Sequence, residues 1–551
     1  MSRPQLRMYL SSFYDVPALR LPPGVVLERF KPGDEARWAA LLQAAGELGE
    51  WSVERARKAF DGPERVPPEG IHFLVVDGET VATACVLLHD GRPDPAELGN
   101  VAVLPQYRGR GFGKLISLAV LRYVESQGYR SCFLRTEPHR LAAIKIYLGL
   151  GFEPDLLGHE SFAERWAGVW DALGLVAKRP FRLGIVGRRG ASSVFAARAL
   201  PDIEVAAICD IDEATLHETA DRLGVAQRFT SYERMLESEI DAVVVSTPMP
   251  QHVPQSVAAL RAGKHVLSEV PAAVNFEECW ELMEAAFASS RIYMMAENYC
   301  YLRENVLVGE LVRRGLFGEV YFAEGEYIHE LKGLNERTPW RRVWQTGRNG
   351  NTYPTHSLGP ALKWLNDRVV SVCCLGSGHH YKDPRGNHYE NEDTTITLCK
   401  LERGGLVQLR LDMLSNRPHN MAYYSLQGTR GCYEAPRGMG DQPKVWFGET
   451  TGSRDQWQPL WDYASYLPEL WRNPPEAARE AGHGGADYWV VYDFVQALLG
   501  RKRPPIDVVN ALEWTATGLA SQVSIARGGA PVDLPGFREA WRARRFAAGA
   551  Q

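Results

Sequence analysis

The sequence predicts a protein of mixed α/β and α+β class, built in series from three bodies. These are a small α/β domain over residues 1–165, a doubly wound parallel sheet over 181–300, and an open antiparallel sheet with helices over 301–551, with a connector at 166–180 after the first. Three observations carry this. A chain of 551 residues is too long for one ordinary core. Between 181 and 300, short apolar runs (RLGIVG, VAAICDID, AVVVSTP, HVLSEVP, IYMMAEN) alternate with helical stretches, as a parallel sheet with crossover helices requires. After 300 the runs lengthen and follow one another through glycine turns, as in GEVYFAEGEYIHE and TTITLCKLERGGLVQLRLDML, the habit of an antiparallel sheet.

Composition narrows the function classes. With 45% hydrophobic and 23% charged residues and a net charge of -5, the chain is of ordinary globular type and gives no electrostatic case for a nucleic-acid partner. No apolar run is long enough for a membrane span, and the N-terminal residues lack the apolar core of a signal peptide. Nine scattered cysteines with no CxxC pair fit reduced thiols in the cytoplasm, and no His–Cys spacing predicts a metal site.

In the first body, LGNVAV is followed by PQYRGRGFG and then an amphipathic helix from about Lys114. Gly109, Gly111 and Gly113 let backbone amides approach a ligand, and a helix N-terminus with open amides favours a pyrophosphate. Arg108, Arg110 and Lys114 add positive charge. This segment resembles the GNAT N-acetyltransferase superfamily, whose R/Q-x-x-G-x-G signature matches Arg108, Gly111 and Gly113, and whose closing helix and strand resemble AIKIYLGLGFEP. The resemblance covers residues 25–165 and implies acetyl-CoA as cofactor, Tyr147 as the acid that protonates the departing thiolate, and Glu97 as a candidate base. The family commonly has asparagine where Arg140 stands. Tyr147 read by itself is equally a packing aromatic, and Glu97 a surface carboxylate.

In the second body, FRLGIVGRRGASSVFAARAL has the strand–turn–helix order of a dinucleotide site, with the glycine motif reduced to Gly187 and Gly190 around Arg188 and Arg189. Asp210 ends the next strand, where a carboxylate binds ribose hydroxyls and repels a 2′-phosphate, so NAD is expected rather than NADP. Then come VVVSTPMPQH and GKHVLSEVP. This order resembles the Gfo/Idh/MocA family, a Rossmann domain followed by an open sheet, over residues 180–540. The resemblance puts Ser246, Thr247, Pro248, His252 and Glu269 around the nicotinamide. It also implies a dimer or tetramer through the open sheet.

One departure has a direction. The family's E-K-P lysine, its usual proton carrier, is Val270 here, between Glu269 and Pro271. EVPAAV, AENYCY, NGNTYPTHSLGP and HGGADYW together resemble the NAD-dependent glycosidases typified by α-N-acetylgalactosaminidases. In that branch the sugar is oxidised at carbon 3, loses the carbon 2 proton, expels the carbon 1 group, takes up water and is re-reduced. The resemblance assigns Tyr353 and His356 to acid–base work. It places Glu269 and Tyr299 beside nicotinamide and sugar, and brings His483 in from a loop. A tyrosine and a histidine three apart at a helix start can face one pocket, with Thr355 or Ser357 capping the helix. Tyr299 and Tyr301, alternate on a strand, would point oppositely.

Bland roles stand beside these. His356 can serve its own helix, Tyr353 can pack, Glu269 and His252 can be structural, and RRVWQTGRNG can be a solvated loop or hold an anion. Three functions remain open for the body after residue 180: a redox-neutral glycosidase acting on a sugar or amino sugar, a sugar dehydrogenase, or a non-catalytic NAD-binding module attached to an acetyltransferase.

Overall fold

A computed structural model of the chain describes residues 4–14, 16–46, 48–90, 96–156, 159, 161–187, 190–417, 420–438, 440–448 and 456–548. Arg188 and Arg189, expected at the cofactor, lie outside the described residues. The chain forms two compact units, chiefly Met1–Val176 and, in the second, Ala177–Val312, Leu316–Leu498 and Pro504–Gln551.

The first unit is one mixed sheet with helices. Strands run in the order Val25–Arg29, Ile71–Val76, Glu79–His89, Ala96–Val103, Cys132–Thr136, Leu6–Leu10 and Glu153–Pro154. Ala96–Val103 and Cys132–Thr136 run parallel and pair at a single register position, Glu97 opposite Phe133, so they diverge beyond it. The helix expected from Lys114 begins at Phe112 and runs to Ser126. The helix Phe162–Leu173 occupies much of the expected connector. Its tryptophans Trp166 and Trp170 stack with ring centroids 5.0 Å apart, in the core of this unit.

The second unit contains both remaining bodies on one continuous hydrophobic core. Six parallel strands run in the order Gln227–Phe229, Ile203–Cys209, Phe181–Val186, Ala242–Val245, His265–Ser268 and Tyr293–Met295. Two of the helices between them start on side-chain caps of this kind, Asp212 accepting the Thr215 N–H at 2.7 Å and Asn275 the Glu278 N–H at 2.7 Å.

The second sheet has nine strands and departs from the expected antiparallel pattern in one place. Val320–Ile328 and Leu406–Asp412 are parallel, flanked by antiparallel neighbours. The long segment between them carries the helix Thr355–Leu365, which crosses back over the sheet and leaves the two strands running in one direction. The stretch between residues 436 and 485 includes the strand Lys444–Phe447 and the short helices Glu469–Arg472 and Glu476–Glu480.

Gly325 sets how closely that helix sits. A Cβ there would fall 2.0 Å from the Ser357 carbonyl oxygen, so glycine alone admits the helix backbone. Tyr327, two residues on, takes the same face and meets the helix start.

Candidate active site

The helix Thr355–Leu365 opens on Tyr353-Pro354, and both Tyr353 and His356 are buried. Their rings meet edge to face, with centroids 5.0 Å apart. Neither Thr355 nor Ser357 caps the helix: Ser357 Oγ donates to Pro354 O at 3.0 Å, and Thr355 Oγ1 has no partner. His356 instead turns its Nδ1 to Glu297 Oε1 at 2.6 Å. That oxygen also accepts the Tyr299 N–H at 3.1 Å. Glu297 is 0% exposed, and its other oxygen has no protein partner.

Tyr299 and Tyr301 lie on one 3-10 turn, Asn298–Tyr301, rather than on a strand. The turn still separates them. The Tyr299 ring stacks on His356, with centroids 4.0 Å apart and planes 8° from parallel, while Tyr301 donates its hydroxyl to Asp493 at 2.9 Å, outside this cluster. Asn305 Nδ2 holds the Tyr299 carbonyl at 2.8 Å, and Trp364 Nε1 holds the Asn305 carbonyl at 2.9 Å, so the turn is fastened to the helix. Tyr327 closes the cluster, 5.2 Å from His356 and 5.3 Å from Tyr353 by ring centroid. Tyr424 donates to the His356 carbonyl. Burial pushes the Tyr299 phenol well above its ordinary value, with Glu297 adding to the shift.

The cofactor half faces this cluster. At Gly187 (φ +92°) a Cβ would lie 2.7 Å from Ser246 O, and at Gly190 it would lie 2.4 Å from Ile185 Cγ2. Both glycines therefore lie tight against the strand ends at Ile185 and Ser246. Ser246 Oγ donates to Val186 O at 2.7 Å, and Asp210 stands at the end of the adjacent strand. These residues fit a dinucleotide: a tight backbone turn for the pyrophosphate and a carboxylate for a ribose diol. Thr247 Oγ1 is engaged with Gln255 at 2.6 Å. Pro248 leads into a 3-10 turn. His252, expected among the cofactor contacts, is buried with Nδ1 2.8 Å from Pro271 O and Nε2 2.8 Å from Thr247 O. It ties the two cofactor loops together. Burial holds it below its ordinary value, against the pull of the two carbonyls.

Glu269 is half-buried, with its N–H on Val245 O at 2.8 Å; Val270 beside it is buried and the Val270–Pro271 peptide is cis. Met249 and Pro271 from this half share a cavity with Trp344, Arg348, Asn351 and Pro354, so the cofactor loops and the YPTH turn meet in one place. Both amide atoms of Asn351 are buried there without a protein partner. Arg348, part of the expected solvated loop, donates to Val274 O at 2.7 Å. His483 reaches the cluster from its loop, 6.4 Å from Tyr299 by ring centroid.

Sequence reasoning missed Glu297, Tyr327 and Tyr424. Glu297 lay inside the quoted AENYCY, but nothing in its spacing points to His356, 59 residues on. Tyr327 was findable from the two-residue alternation that puts it on the face of Gly325.

In the first unit, Gly109 (φ +78°) and Gly111 (φ +84°) are exposed, with nothing within 4 Å of an added Cβ, and Gly111 precedes the helix. With the diverging strands beside it, this end fits a phosphate-bearing thioester cofactor. Lys114 is exposed there and Gly113 packs on Ile146. Arg108 is committed to its own chain, donating to Ala45 O at 2.7 Å, and Arg110 lies over the Tyr107 ring. Tyr147 is buried, which pushes its phenol up to about 12 against the opposing charge of Arg140. Glu97 is neither at a strand end nor on the surface. It sits at the start of its strand, buried, 2.6 Å from His89 Nε2 and 2.9 Å from Arg135 Nε.

Among the described residues no group of three or more His, Cys, Asp and Glu is placed to hold a metal, and no helix is long and apolar enough to cross a membrane.

Comparison with known proteins finds family matches over three stretches of the chain. Residues 36–152 match the acetyltransferase (GNAT) family. Residues 181–297 match the oxidoreductase family with NAD-binding Rossmann fold, and 301–543 match the glycosyl hydrolase 109 C-terminal domain. A glycosyl hydrolase family 109 protein of Saccharopolyspora erythraea is 33% identical over 400 residues, 66% of this chain and 85% of that protein. An alpha-N-acetylgalactosaminidase of Shewanella oneidensis is 33% identical over 406 residues, 67% of this chain and 88% of that protein. Among solved structures, a levoglucosan dehydrogenase in complex with NADH matches with a TM-score of 0.55 at 19% identity, covering 65% of this chain and all of that one, a likeness of fold.

Proposed function

Because the chain belongs to glycosyl hydrolase family 109, we propose that its second unit cleaves glycosides of N-acetylated amino sugars with no net oxidation, and that its first unit transfers an acetyl group from acetyl-CoA to the amine of an amino sugar. The observation that carries the glycosidase reading is the cluster of Tyr299, His356 and Tyr353, in a chain whose position 270 is a buried valine that cannot carry a proton.

Bound NAD would take a hydride from carbon 3 of the sugar and return it at the end of the cycle. The side chains of this chain move the protons. A ketone at carbon 3 acidifies the neighbouring carbon 2 proton, which needs an acceptor within hydrogen-bond reach. Tyr353 and His356 fill that role and hold the carbon 3 oxygen. Tyr299, kept neutral by burial, is a proton donor at physiological pH. Glu269, at the strand end beside the cofactor loops, orients the sugar hydroxyls. Gly187, Gly190, Ser246 and Asp210 hold the dinucleotide, Ser246 by fixing the loop rather than by reaching the ligand.

In the first unit, Gly109, Gly111 and the helix start receive the pyrophosphate, with Lys114 and Arg110 near it. Tyr147, protonated across the physiological range, supplies the proton to the departing thiolate. An N-acetylated amino sugar would be the product of one unit and the recognised part of the substrate of the other. The outward side chains of the open sheet, Leu375 and Leu398 among them, support an assembly of two or four copies.

The test follows nitrophenol release and NADH absorbance together, with purified protein, trace NAD and nitrophenyl glycosides of N-acetylated and free amino sugars. Nitrophenol in large excess over NAD with no NADH accumulating is the expected result. NADH accumulating from free sugars, with no nitrophenol, makes the second unit a dehydrogenase. Thiol release from acetyl-CoA in the presence of glucosamine or galactosamine tests the first unit.

A further inference from the structure

Four side chains of the first unit close a circuit of charge. Glu97 Oε2 lies 2.6 Å from His89 Nε2, and Glu97 Oε1 accepts from Arg135 Nε at 2.9 Å. The same guanidinium donates to Glu64 Oε2 at 3.1 Å, and Glu64 Oε1 returns to within 3.4 Å of His89 Nδ1. The strands Glu64–Arg65, Glu79–His89, Ala96–Val103 and Cys132–Thr136 each supply one member. His89 and Glu97 are buried, with side chains 6% and 5% exposed, whereas Glu64 is 53% exposed. The next charged groups, Arg65 and Asp90, are paired with each other.

The circuit lies at the fork of the sheet. Glu97 stands opposite Phe133 at the one register position where its strand pairs with Cys132–Thr136, and the His89 and Phe133 rings lie 5.1 Å apart. From Glu97 the strand runs six residues to Val103, before the loop of Gly109 and Gly111 and the helix start. That is about 20 Å of strand, the span of an extended pantetheine arm. A thioester whose pyrophosphate sits at the helix start can bring its acetyl group to the fork. Both Glu97 oxygens are engaged there, so the charge balance turns on His89. Two carboxylates against one guanidinium leave one negative charge, which protonation of His89 cancels. With Nε2–H on Glu97, the neutral ring turns its Nδ1 lone pair toward the half-exposed Glu64.

We propose that His89 is the base that deprotonates the acceptor amine, with Glu97 and Arg135 as positioning residues and Glu64 drawing the ammonium in; the proposal rests on the acetyl-transfer reading above. The ammonium gives one proton to His89 Nδ1, directly or through one water. The freed lone pair forms the nitrogen–carbon bond to the acetyl group as the carbon–sulfur bond breaks. The departing thiolate takes the Tyr147 proton, and the surplus proton on the new amide nitrogen restores the Tyr147 phenol. The imidazolium, held between two carboxylates, then releases its proton to solvent, one for each acetyl group transferred. The acceptor class follows: an alkyl amine that is charged in solution.

The test follows thiol release from acetyl-CoA with glucosamine as the probe amine. It compares the full chain with its His89→Gln, Glu97→Gln and Glu64→Gln variants at pH 6.5 and pH 9. Without its base the protein acetylates only amine already unprotonated in solution, and high pH supplies more of it. His89→Gln is expected to lower kcat/KM for glucosamine about 100-fold at pH 6.5 and about 10-fold or less at pH 9, with KM for acetyl-CoA unchanged. Glu97→Gln and Glu64→Gln follow in the same direction with smaller losses. Glu64, half-exposed, decides the matter where a buried variant fails to fold. Losses equal at the two pH values, or none, in the variants that keep the acetyl-CoA KM overturn the assignment and leave the circuit a structural tie. Wild-type protein that releases thiol with neither glucosamine nor galactosamine overturns the acetyl-transfer reading itself, and the assignment with it.

Discussion

Glu297 Oε1 lies 2.6 Å from His356 Nδ1 and so joins the end of the parallel-sheet domain to the helix start on the open sheet. Gly359 allows the approach, since a Cβ there would stand 3.2 Å from Glu297 Cγ. The bond decides which ring nitrogen of His356 is left for a substrate.

Replacing Glu297 by Gln keeps the size and removes the charge. A hydrogen bond to a charged group contributes about 1.5–3 kcal/mol, so kcat for nitrophenol release is expected to fall about 10- to 100-fold with KM little changed. Steady-state kinetics on the nitrophenyl substrate check this. A raised KM at constant kcat would assign Glu297 to binding instead.

Tyr299 titrates well above its ordinary value because burial disfavours the phenolate. Its neutral form therefore persists over the whole accessible range. Tyr299→Phe is expected to lower kcat at least about 100-fold without moving any limb of the pH–rate profile below pH 10. An alkaline limb that disappears in the variant would show that the phenolate is the working form.

Gly187 has no room for a side chain and sits at φ +92°. Gly187→Ala would push on the Ser246 carbonyl and strain the backbone by about 1–3 kcal/mol. Purified variant should retain at least about 10-fold less NAD than wild type. Heat-released nucleotide measured by absorbance reads this directly.

In the first unit, Tyr147→Phe should slow acetyl transfer about 10- to 100-fold at unchanged KM for acetyl-CoA. The phenol held at about 12 is a proton donor, not a contact for the pyrophosphate. Thiol release against acetyl-CoA concentration separates the two, and nitrophenol release by the same variant should be unaffected.

Two histidines link stability to acid. His72 in the first unit and His265 in the second are each lowered to about 4, chiefly by burial. Their folded values lie below the unfolded value of about 6.5, so the unfolded chain binds more protons between the two. Stability from these groups is full above pH 6.5 and falls toward pH 4, by about 1.4 kcal/mol per pH unit for each group. Denaturant unfolding at pH 7, 6 and 5 should show the decline, and His265→Asn should reduce its slope for the second unit.

Much of this was legible because it is local. Gly187, Gly190 and Asp210 announce a dinucleotide turn by spacing, and Tyr353 and His356 share a helix start by being three apart. Glu297 and the Tyr299–His356 stack arise from chain segments brought together by the fold, and no period or spacing encodes them. The parallel pair Val320–Ile328 and Leu406–Asp412 was hidden for a related reason. Strand direction depends on where the intervening helix returns, and both orientations use the same alternation of side chains. His252 shows the reverse case: a polar residue at a suggestive position whose two ring nitrogens are spent on backbone carbonyls.

The near-parallel stack of Tyr299 on His356, 4.0 Å between centroids, makes the site report on itself. A proton above the face of an aromatic ring is shielded by the ring's circulating electrons, so the carbon-bound imidazole protons of His356 should resonate upfield of those of an ordinary histidine. A sugar that wedges between the rings or tilts Tyr299 would move that resonance back. The occupancy of the pocket could then be followed by magnetic resonance on histidine-labelled protein, with no chromogenic substrate and no turnover.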